Sequence, residues 1–345
     1  MLDIVNTDAF SMTSLIAALK KIPYRPSRLG PGGLALFDER PMSTVSALIE
    51  KVDGQLSLIQ TSARGSAGDF IADSKRTVIS FSAQHLKRNA KIMADEVQGV
   101  RVFGSEDQAL TVEAKRDEKL ALLQAMHEVT WENHRVGALV GKVLDADGTT
   151  VLLDVFNAFG VTQQTKDYPL TTTTTDIRSV GDAVADLIDE ELGATTYDHV
   201  HAICGGTFYD TLIQHKFVQD ALKAQTGAGA AKILQDLRGG GFTIGAVTYE
   251  RAKRWRVKNH LNTVIDMVDP NLGYAFPVGA LTPEGSMFIG RFAPQPYMDT
   301  VNRLNPPLVV KAEADPKGKW IDMEGISCPL YLNTRPRAVI KLTKS

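Results

Sequence analysis

A stretch of about 30 residues rich in helix-forming side chains constrains this chain more than any other feature. Ser105 and Gln108 have the spacing of a capping box, helix formers continue to about His134, and Gly137 is the predicted stop. The predicted apolar stripe consists of Leu110, Ala114, Leu120, Leu123, Met126 and Val129. The helix would be roughly 45 Å long, against a mean length of about 11–12 residues. A helix of this length usually supports the rest of a domain, so we expect it to be the central structural helix, called the spine helix below.

Two hairpins are predicted on either side of this helix. Thr44–Val52 leads through Asp53-Gly54 into Gln55–Gln60, and Asp-Gly between β-prone runs is a strong turn signal. The second hairpin consists of Ala138–Leu144, the turn Asp145-Ala-Asp-Gly148, and Thr149–Phe156. An isolated hairpin is marginal in water, so the first one needs a surface to lie on.

The first 40 residues have the pattern of an arm. Pro23, Pro26 and Pro31, with glycines between 30 and 33, exclude a sustained helix or central strand there. A short amphipathic segment, Met12–Lys20, precedes them. Because few apolar anchors are evident, we expect this arm to be loose in a single copy of the chain.

The rest of the chain predicts short elements of both kinds. Ser179 and Asp182 are predicted to cap a helix that ends at Gly193, and Thr207–Gln225 predicts one or two helices. The predicted strands are His199–Ile203, Phe242–Tyr249, Leu261–Met267 and Met287–Phe292, and the threonine run 171–175 is a loop or an edge strand. Helices and antiparallel strands are segregated, so the predicted class is α+β.

Composition and sequence pattern argue against several classes of function. There are 38 basic and 40 acidic residues, which gives a formal net charge of -2. A protein that binds nucleic acid tightly usually has an excess of basic residues. The two cysteines, Cys204 and Cys328, have no metal or disulfide spacing. No apolar run approaches the roughly 20 residues of a membrane span, and the first residues lack a signal-peptide pattern. We expect a protein made in a reducing cytosol, with no membrane partner.

Candidates for chemistry are few. His199, His201, Cys204 and His215 form the best metal candidate, but their spacing matches no known zinc site and structural histidines are the favoured interpretation. Asp145-Ala-Asp-Gly148 begins as a calcium loop does, yet lacks the glycine and glutamate needed further on. Nucleophile-elbow, phosphate-loop and dinucleotide-binding motifs are absent. We therefore predict no catalytic, cofactor or metal site.

One basic segment stands out, Arg251–Lys258. Such a segment is usually a solvated face or a subunit contact, and a DNA-facing role is the less favoured alternative. An arm, a projecting hairpin and a brace helix all make sense if neighbouring copies supply the missing surfaces, because arms and hairpins that lie on adjacent subunits complete open strand edges.

The order and spacing of several motifs resemble the major capsid proteins of lambda-like tailed phages, the family of the lambda shell protein. The motifs are Asp8-x-Phe10, the Pro23/Pro26 arm, Asp53-Gly54 with Arg64-Gly65, the 95–105 segment, Gly137–Gly141 with Asp145–Gly148, His199–Gly205 with Phe208-Tyr-Asp210, Phe276–Gly279, Phe292-Ala-Pro294, Asp299–Asn302 and Ser327–Leu330. The likeness runs over essentially the whole chain. The basic run after Tyr249 and Cys328 depart from the family pattern.

The resemblance implies a Hong Kong 97-like capsid fold of class α+β. Its parts would be an N-terminal arm (1–41), an extended hairpin loop (42–80), a peripheral domain with the spine helix (81–175 and 300–345) and an axial domain (176–299). It implies self-assembly into pentamers and hexamers of an icosahedral shell in the virion, assembled in the host cytoplasm. Expected partners are a scaffolding protein, a portal protein, a candidate decoration protein, and packaged double-stranded DNA held without tight specificity.

Two further expectations follow from this resemblance. The predicted assembly contacts are Asp53, Gly54, Arg64, Arg101, Arg251 and Arg254. A metastable precursor shell that expands as DNA enters is also expected, since glycines bound the extended loop and a long helix can bend. Two alternatives stay open at the level of sequence: an encapsulin-like compartment, and a metal-dependent hydrolase using His199, His201 and His215.

Overall fold

The computed structural model describes residues 10–21, 27–52, 76–98, 111–193, 195–224, 241–252, 256–258, 263–282 and 285–345. The helices are α1 (Met12–Lys21), α2 (Val112–Val140), α3 (Val155–Phe159), α4 (Ile177–Leu192), α5 (Gly206–Gln214) and α6 (Lys216–Ala224), with 3-10 turns at Ala94–Glu96 and Pro336–Ala338. No helix in these ranges is long and apolar enough to cross a bilayer.

The strands are described in chain order. They are β1 (Asp38–Pro41), β2 (Ser46–Val52), β3 (Arg76–Ser82), β4 (Leu86–Met93), β5 (Lys142–Leu144), β6 (Val151–Asp154), β7 (Thr165–Tyr168), β8 (His199–Cys204), β9 (Phe242–Ile244), β10 (Val247–Arg251), β11 (Arg256–Lys258), β12 (Val264–Asp266), β13 (Gly273–Val278), β14 (Leu281–Thr282), β15 (Gly285–Ser286), β16 (Phe288–Phe292), β17 (Val309–Ala314), β18 (Trp320–Ser327), β19 (Pro329–Asn333) and β20 (Ile340–Lys344).

The chain divides into two compact units. Unit 1 comprises Met1–Ala47, Phe81–His134 and Gly290–Tyr331, and unit 2 comprises Leu48–Ser80, Arg135–Ile289 and Leu332–Ser345. Each unit is thus assembled from three separate pieces of sequence, so neither could be recognised as one continuous stretch of chain. The predicted division into arm, loop, peripheral and axial domains has other boundaries and stays a prediction.

Unit 1 contains an antiparallel sheet in the order β17–β18–β4. Helix α2 contributes Val112–His134 to this unit, with Leu120 and Leu123 buried. Trp131, also buried, donates from its indole Nε1 to the Ser327 hydroxyl of β18 at 3.1 Å. The core of unit 1 therefore lies where the long helix packs against residues from the far end of the sequence.

The N-terminal arm is better anchored than the sequence predicts. Phe10, Leu15 and Leu29 are buried, and α1 packs on β17 within unit 1. The Leu29 backbone N–H donates to the buried Glu132 carboxylate at 2.9 Å. The prediction of a loose arm is therefore wrong for residues 10–21 and 27–41, because leucines spaced along a proline- and glycine-rich stretch still fill a core when another element receives them.

Helix α2 does not stop at Gly137. It runs to Val140, and the chain turns at Gly141, which has φ +100°. A Cβ atom at Gly137 would lie 2.7 Å from the Val143 Cα, so this glycine admits the returning backbone of β5 against the helix. Ser105 lies outside the described residues, but the helix begins at Val112, so the prediction of one continuous helix from Ser105 is wrong. The Thr111 hydroxyl accepts from the Ala114 backbone N–H at 3.1 Å and caps this start. The second hairpin is present as β5–β6, four residues shorter at its start than predicted.

His127 is a buried ionisable group in unit 1. Its side chain is 3% exposed, and neither ring nitrogen has a hydrogen-bonding partner among the described residues. Its ring lies 6.2 Å from that of Trp131. Burial lowers the pKa of His127 to about 4, with a smaller opposing effect of the Gly325 backbone. The histidine is therefore neutral in the folded chain at neutral pH.

We expect this histidine to make the folded state acid-sensitive. An unfolded histidine binds a proton near pH 6.5 and His127 in the fold only near pH 4, so stability falls as pH falls between these values, by about 2–3 kcal/mol. Urea unfolding at pH 7.5 and 4.5 measures this. His127→Leu should reduce the difference between the two pH values by that amount, whereas His85→Gln, at an exposed histidine, should not. An unchanged difference in His127→Leu would contradict the assignment.

Unit 2 is organised around a mixed sheet in the order β7–β20–β13–β8–β10–β9. The pairs β8/β10 and β20/β7 are parallel and the others are antiparallel. Helix α4 contacts several strands of this sheet and α5 contacts β10. Strands β7 and β20 come from ranges expected in the peripheral domain, but they complete a sheet whose other four strands come from the expected axial range.

Helix α4 begins earlier than predicted. The Asp176 carboxylate accepts hydrogen bonds from the Arg178 and Ser179 backbone N–H groups and is the N-cap, so the prediction of a cap formed by Ser179 and Asp182 is wrong. Ser179 instead donates to the Asp176 carbonyl oxygen. The predicted end at Gly193 is confirmed. Aspartate and serine three residues apart are equivalent caps by pattern, and only the fold distinguishes them.

The other predicted elements of unit 2 are found with small shifts. The strand at His199–Ile203 and the two helices within Thr207–Gln225 are confirmed as β8, α5 and α6. The predicted strand Phe242–Tyr249 is instead the hairpin β9–β10, because the chain reverses at Gly245 with φ +60°. Strand β12 occupies only the centre of the predicted Leu261–Met267 strand, and the threonine run is a loop.

Candidate assembly surfaces

The residues predicted as assembly contacts are largely outside the described ranges. Asp53, Gly54, Arg64, Arg101 and Arg254 all lie there. Arg251, at the end of β10, forms two contacts of 2.8 Å between its guanidinium nitrogens and the carboxylate oxygens of Asp210 on α5. This bidentate ion pair holds the Arg251 side chain against Asp210 within unit 2. A role for Arg251 between subunits stays a prediction.

The histidine and cysteine group does not converge on a point. His201 Nε2 lies 3.0 Å from Glu250 Oε2, and His215 Nε2 donates to the Thr172 carbonyl oxygen at 3.0 Å. Cys204 is fully buried, and burial raises the pKa of its thiol. Across the described ranges, no group of three or more His, Cys, Asp or Glu side chains is placed to hold a metal ion. His201, His215 and Cys204 thus have a local partner or a buried structural position, whereas His199 is exposed, with its ring 6.0 Å from that of His201.

The strand pair β2–β3 carries exposed apolar side chains. Leu48 and Val78 are both more than half exposed. The two strands form a two-stranded sheet of their own, so β2 pairs with a strand that begins at Arg76. The predicted turn at Asp53-Gly54 and return strand Gln55–Gln60 lie outside the described residues. A two-stranded sheet with apolar residues facing water is typical of a segment that docks elsewhere.

A groove in unit 1 lies between β4 and helix α2. It has a volume of about 370 Å³, with Ala90 and Met93 on the strand side and Leu122 and Met126 on the helix side. Met93, Leu122 and Met126 are all exposed. In the described residues β4 is the edge of its sheet, since β18 is its one hydrogen-bonded neighbour. The groove thus combines an apolar floor with an open strand edge.

The groove has charged residues on its rim. Arg88 and Lys91 lie on the strand side, and Lys119 lies on the helix side. Lys119 Nζ is 2.9 Å from Glu96 Oε1, and Lys91 Nζ lies over the Trp320 ring, 5.1 Å from its centroid. The helix face opposite the core therefore presents charges of both signs around an apolar centre, as protein–protein interfaces do.

A second apolar surface in unit 1 is the 295–305 loop. Met298 is 91% exposed and Leu304 is 69% exposed, with Val301 also exposed. The loop is nevertheless fixed from within: the buried Thr300 hydroxyl lies 2.6 Å from the Gln295 carbonyl oxygen.

Further hydrogen bonds close the 295–305 loop. The Asn305 side-chain amide donates to the Thr300 carbonyl at 2.8 Å, and the Gln295 amide donates to the Pro306 carbonyl at 3.0 Å. Asp299 pairs with Lys311 of β17 at 2.6 Å. A loop whose backbone is held by internal hydrogen bonds while it exposes large apolar side chains is a preformed contact surface.

Sequence reasoning did not find the groove or the 295–305 loop. The predicted apolar stripe of the long helix mixed buried Leu120 and Leu123 with exposed Met126 and Val129. A signal was available, since Leu122, Met126 and Val129 have the i, i+4, i+7 spacing of a second apolar face. Loop residues such as Met298 have no periodicity from which exposure can be predicted.

A family model for phage major capsid protein E matches residues 11–344 of this chain. The chain belongs to this family. It is a structural protein of the phage capsid. The major capsid protein of Salmonella phage Felix O1 is 28% identical over 353 residues, covering 96% of this chain and 95% of that protein. The major capsid protein of Pseudomonas phage KPP10 is 28% identical over 215 residues, 61% of this chain and 60% of that protein.

Solved structures agree on the fold of this capsid protein. A phage-related protein from Bordetella bronchiseptica RB50 superimposes with a TM-score of 0.52 at 11% identity, covering 95% of both chains. The mature capsid of bacteriophage PhiM1 superimposes with a TM-score of 0.51 at 10% identity, covering 90% of this chain and 85% of that one. The predicted α+β, Hong Kong 97-like fold is confirmed. The relatives give no support to the hydrolase or encapsulin-like alternatives.

Proposed function

We propose that copies of this protein associate into pentamers and hexamers that close into an icosahedral shell around the phage genome. The observation that carries the proposal is the family match over residues 11–344. Rings of both sizes can be built from one heterologous surface, in which one patch of a subunit meets a different patch of the next. The exposed apolar residues of the groove and the 295–305 loop supply two such patches.

Within the shell we propose distinct roles for the parts of the chain. The axial domain, residues 176–299, would gather around the five-fold and six-fold positions, and the peripheral domain, residues 81–175 and 300–345, would carry the spine helix. The extended loop (42–80) would reach neighbouring copies, whereas the described residues of the arm (1–41) pack within unit 1 of their own chain. The exposed Leu48 and Val78 at the base of this loop support the proposal, because apolar area left open in one copy can be covered in an assembly.

The proposed partners follow from the same assembly. A separate scaffolding protein would guide curvature in the host cytoplasm, a portal protein would occupy one vertex, and a decoration protein is a further candidate for the outer surface. Packaged double-stranded DNA would be held without tight specificity, in keeping with the net charge of -2. The precursor shell would expand as DNA enters. Small-angle scattering of particles before and after filling tests this last step, and one fixed radius would contradict it.

Electron microscopy of the full chain, expressed with and without the other head proteins of its phage, tests the proposal. Closed shells of uniform size are the expected result, built from five- and six-membered rings. A stable monomer that never assembles under either condition would overturn it.

The Arg251→Ala variant tests one predicted assembly contact. If this variant forms unchanged shells, Arg251 is not an assembly contact.

The turn of the extended loop offers a second test. Asp53→Val combined with Gly54→Val should leave soluble protein but abolish closed shells, because valine strongly disfavours the positive φ that a tight Asp-Gly turn requires. Asp53→Asn is the matched control and should assemble normally, since Asn-Gly forms the same turn. Sedimentation and electron microscopy of both variants give the measurement. Normal shells from the double valine variant would show that this turn is not needed for assembly.

A further inference from the structure

Two surfaces of unit 1 expose large apolar side chains. The 295–305 loop presents Met298, Val301 and Leu304 to solvent. The groove between β4 and α2 is concave, with a floor that includes Leu122 and Met126. Apart from Val45 and Val129, these two surfaces contain all the large hydrophobic residues that are exposed in the described part of unit 1.

We propose that the 295–305 loop of one copy inserts into the groove between β4 and α2 of the next copy. This inference rests on the proposed shell assembly and names one of its contacts. Each copy carries one loop and one groove, so the contact is heterologous and repeats from copy to copy, which is what a ring requires. Val45 and Val129 do not line the groove.

The energetics favour insertion of this loop. Its hydrogen bonds through Thr300, Asn305 and Gln295 already fix its backbone, so little conformational entropy is lost on binding. Met298 and Leu304 move from water to an apolar floor, and removal of apolar surface from water favours the contact. Thioether and leucine side chains also adapt to a groove whose own lining includes Met93 and Met126.

The charges on the two surfaces favour one direction of docking. The groove lining carries Arg88, Lys91 and Lys119 together with Glu96, and Glu96 already pairs with Lys119. On the loop, the side chain of Asp299 is 62% exposed although it pairs with Lys311. The basic strand side of the groove, Arg88 and Lys91, therefore faces an exposed carboxylate when the loop inserts.

Cysteine pairs test the contact in assembled shells. The first variant is Met298→Cys/Leu122→Cys, and oxidation should link its chains into a ladder of dimers, trimers and longer products. The yield of crosslinked chains should be at least about tenfold above that of the control, because adjacent sites have a millimolar effective concentration. The native cysteines, Cys204 and Cys328, are buried and do not compete. Met298→Cys/Val151→Cys is the matched control, because Val151 is 48% exposed and Leu122 is 52% exposed. The ladder is read on non-reducing gels.

The other outcomes of this experiment separate the inference from the proposed function. Normal shells with no ladder above control would overturn the loop–groove contact and leave shell assembly standing. A link within one chain would also overturn it, since loop and groove would then meet in the same copy. A ladder from Leu56→Cys/Leu122→Cys in place of the Met298 pair would assign the groove to the extended loop instead. Absence of shells from the wild-type chain would contradict the proposed function and the inference together.

A substitution series gives an independent measure. Met298→Asp places a charge at the tip of the loop, where the insertion would bury it, and should reduce the yield of sedimentable shells by at least about tenfold. Met298→Leu keeps the side chain apolar and should leave the yield within about twofold of wild type. Because Met298 is 91% exposed, neither change should alter the unfolding midpoint of the soluble chain. Equal shell yields from the two variants would overturn the inference.

Discussion

Replacing Gly141 by alanine is expected to destabilise the folded chain by on the order of 4 kcal/mol. Gly141 has φ +100°, a conformation that L side chains rarely adopt. A Cβ atom there would also lie 2.0 Å from Phe156 Cε2, so the aromatic ring would have to move. The Val155 backbone N–H donates to the Gly141 carbonyl at 2.9 Å, which ties this position to the start of α3 and limits how far the chain can shift. Urea unfolding followed by circular dichroism measures the loss.

Two further variants separate the two causes. Gly160→Ala has a φ of +63°, within the left-handed region, and no atom within 4 Å of the added Cβ, so it should cost about 1–2 kcal/mol. In a Phe156→Ala background, Gly141→Ala should cost clearly less than in the wild-type chain, because the ring that it strikes is gone and only the backbone strain at φ +100° remains. A cost for Gly141→Ala that is the same with and without Phe156 would show that backbone strain alone accounts for it.

Gly141 also shows what the sequence could predict at the end of the long helix. A helix of about the right length, followed by a hairpin with an Asp-Ala-Asp-Gly turn, is confirmed in the described residues. The predicted end of the helix was wrong, because Gly137 and Gly141 are four residues apart and equally suited to end a helix by local rules. The decision depends on Val143 and Phe156, which meet these glycines after the chain has turned back.

Strand pairing in the sheets also depends on contacts between distant parts of the chain. Strand β8 was predicted because His199–Cys204 has a compact apolar run, and Gly193 ended the preceding helix as expected. Its neighbours β10 and β13 lie 43 or more residues later in the chain, and no local pattern indicates that β20 joins the same sheet. Local signals thus predicted the elements well, whereas pairing depends on long-range contacts that one sequence does not display.

The assembly surfaces were the hardest part to predict. Six contact residues were predicted, and five of them lie outside the described ranges, while Arg251 has an intrachain partner in Asp210. The groove and the 295–305 loop depend on tertiary structure. Met298 is exposed because Thr300 and Gln295 turn inward and hold the loop, a division of roles that composition does not reveal.

The position of Trp131 determines whether unit 1 can present those surfaces. Its indole packs edge-on against Phe292, with ring centroids 5.3 Å apart, and hydrogen-bonds Ser327, which is fully buried. Phe292 ends β16 and Ser327 ends β18, so one side chain of α2 joins two strands from the last quarter of the chain. The groove is formed between this same helix and β4, the neighbour of β18. Loss of the indole should therefore loosen the groove as well as the core.

Trp131→Ala is accordingly expected to cost about 3–5 kcal/mol, the range for removal of a buried aromatic side chain, and to abolish shells at 37 °C. Trp131→Phe keeps most of the packing but leaves the Ser327 hydroxyl without its partner, which should cost about 1–2 kcal/mol and preserve assembly. Adding Ser327→Ala to Trp131→Phe should recover part of that cost, because the unsatisfied hydroxyl is removed with it. Urea unfolding gives the three free energies and electron microscopy the shells. If Trp131→Phe and Trp131→Ala lost equal stability, the hydrogen bond, and not the packing against Phe292, would be the contribution that holds unit 1 together.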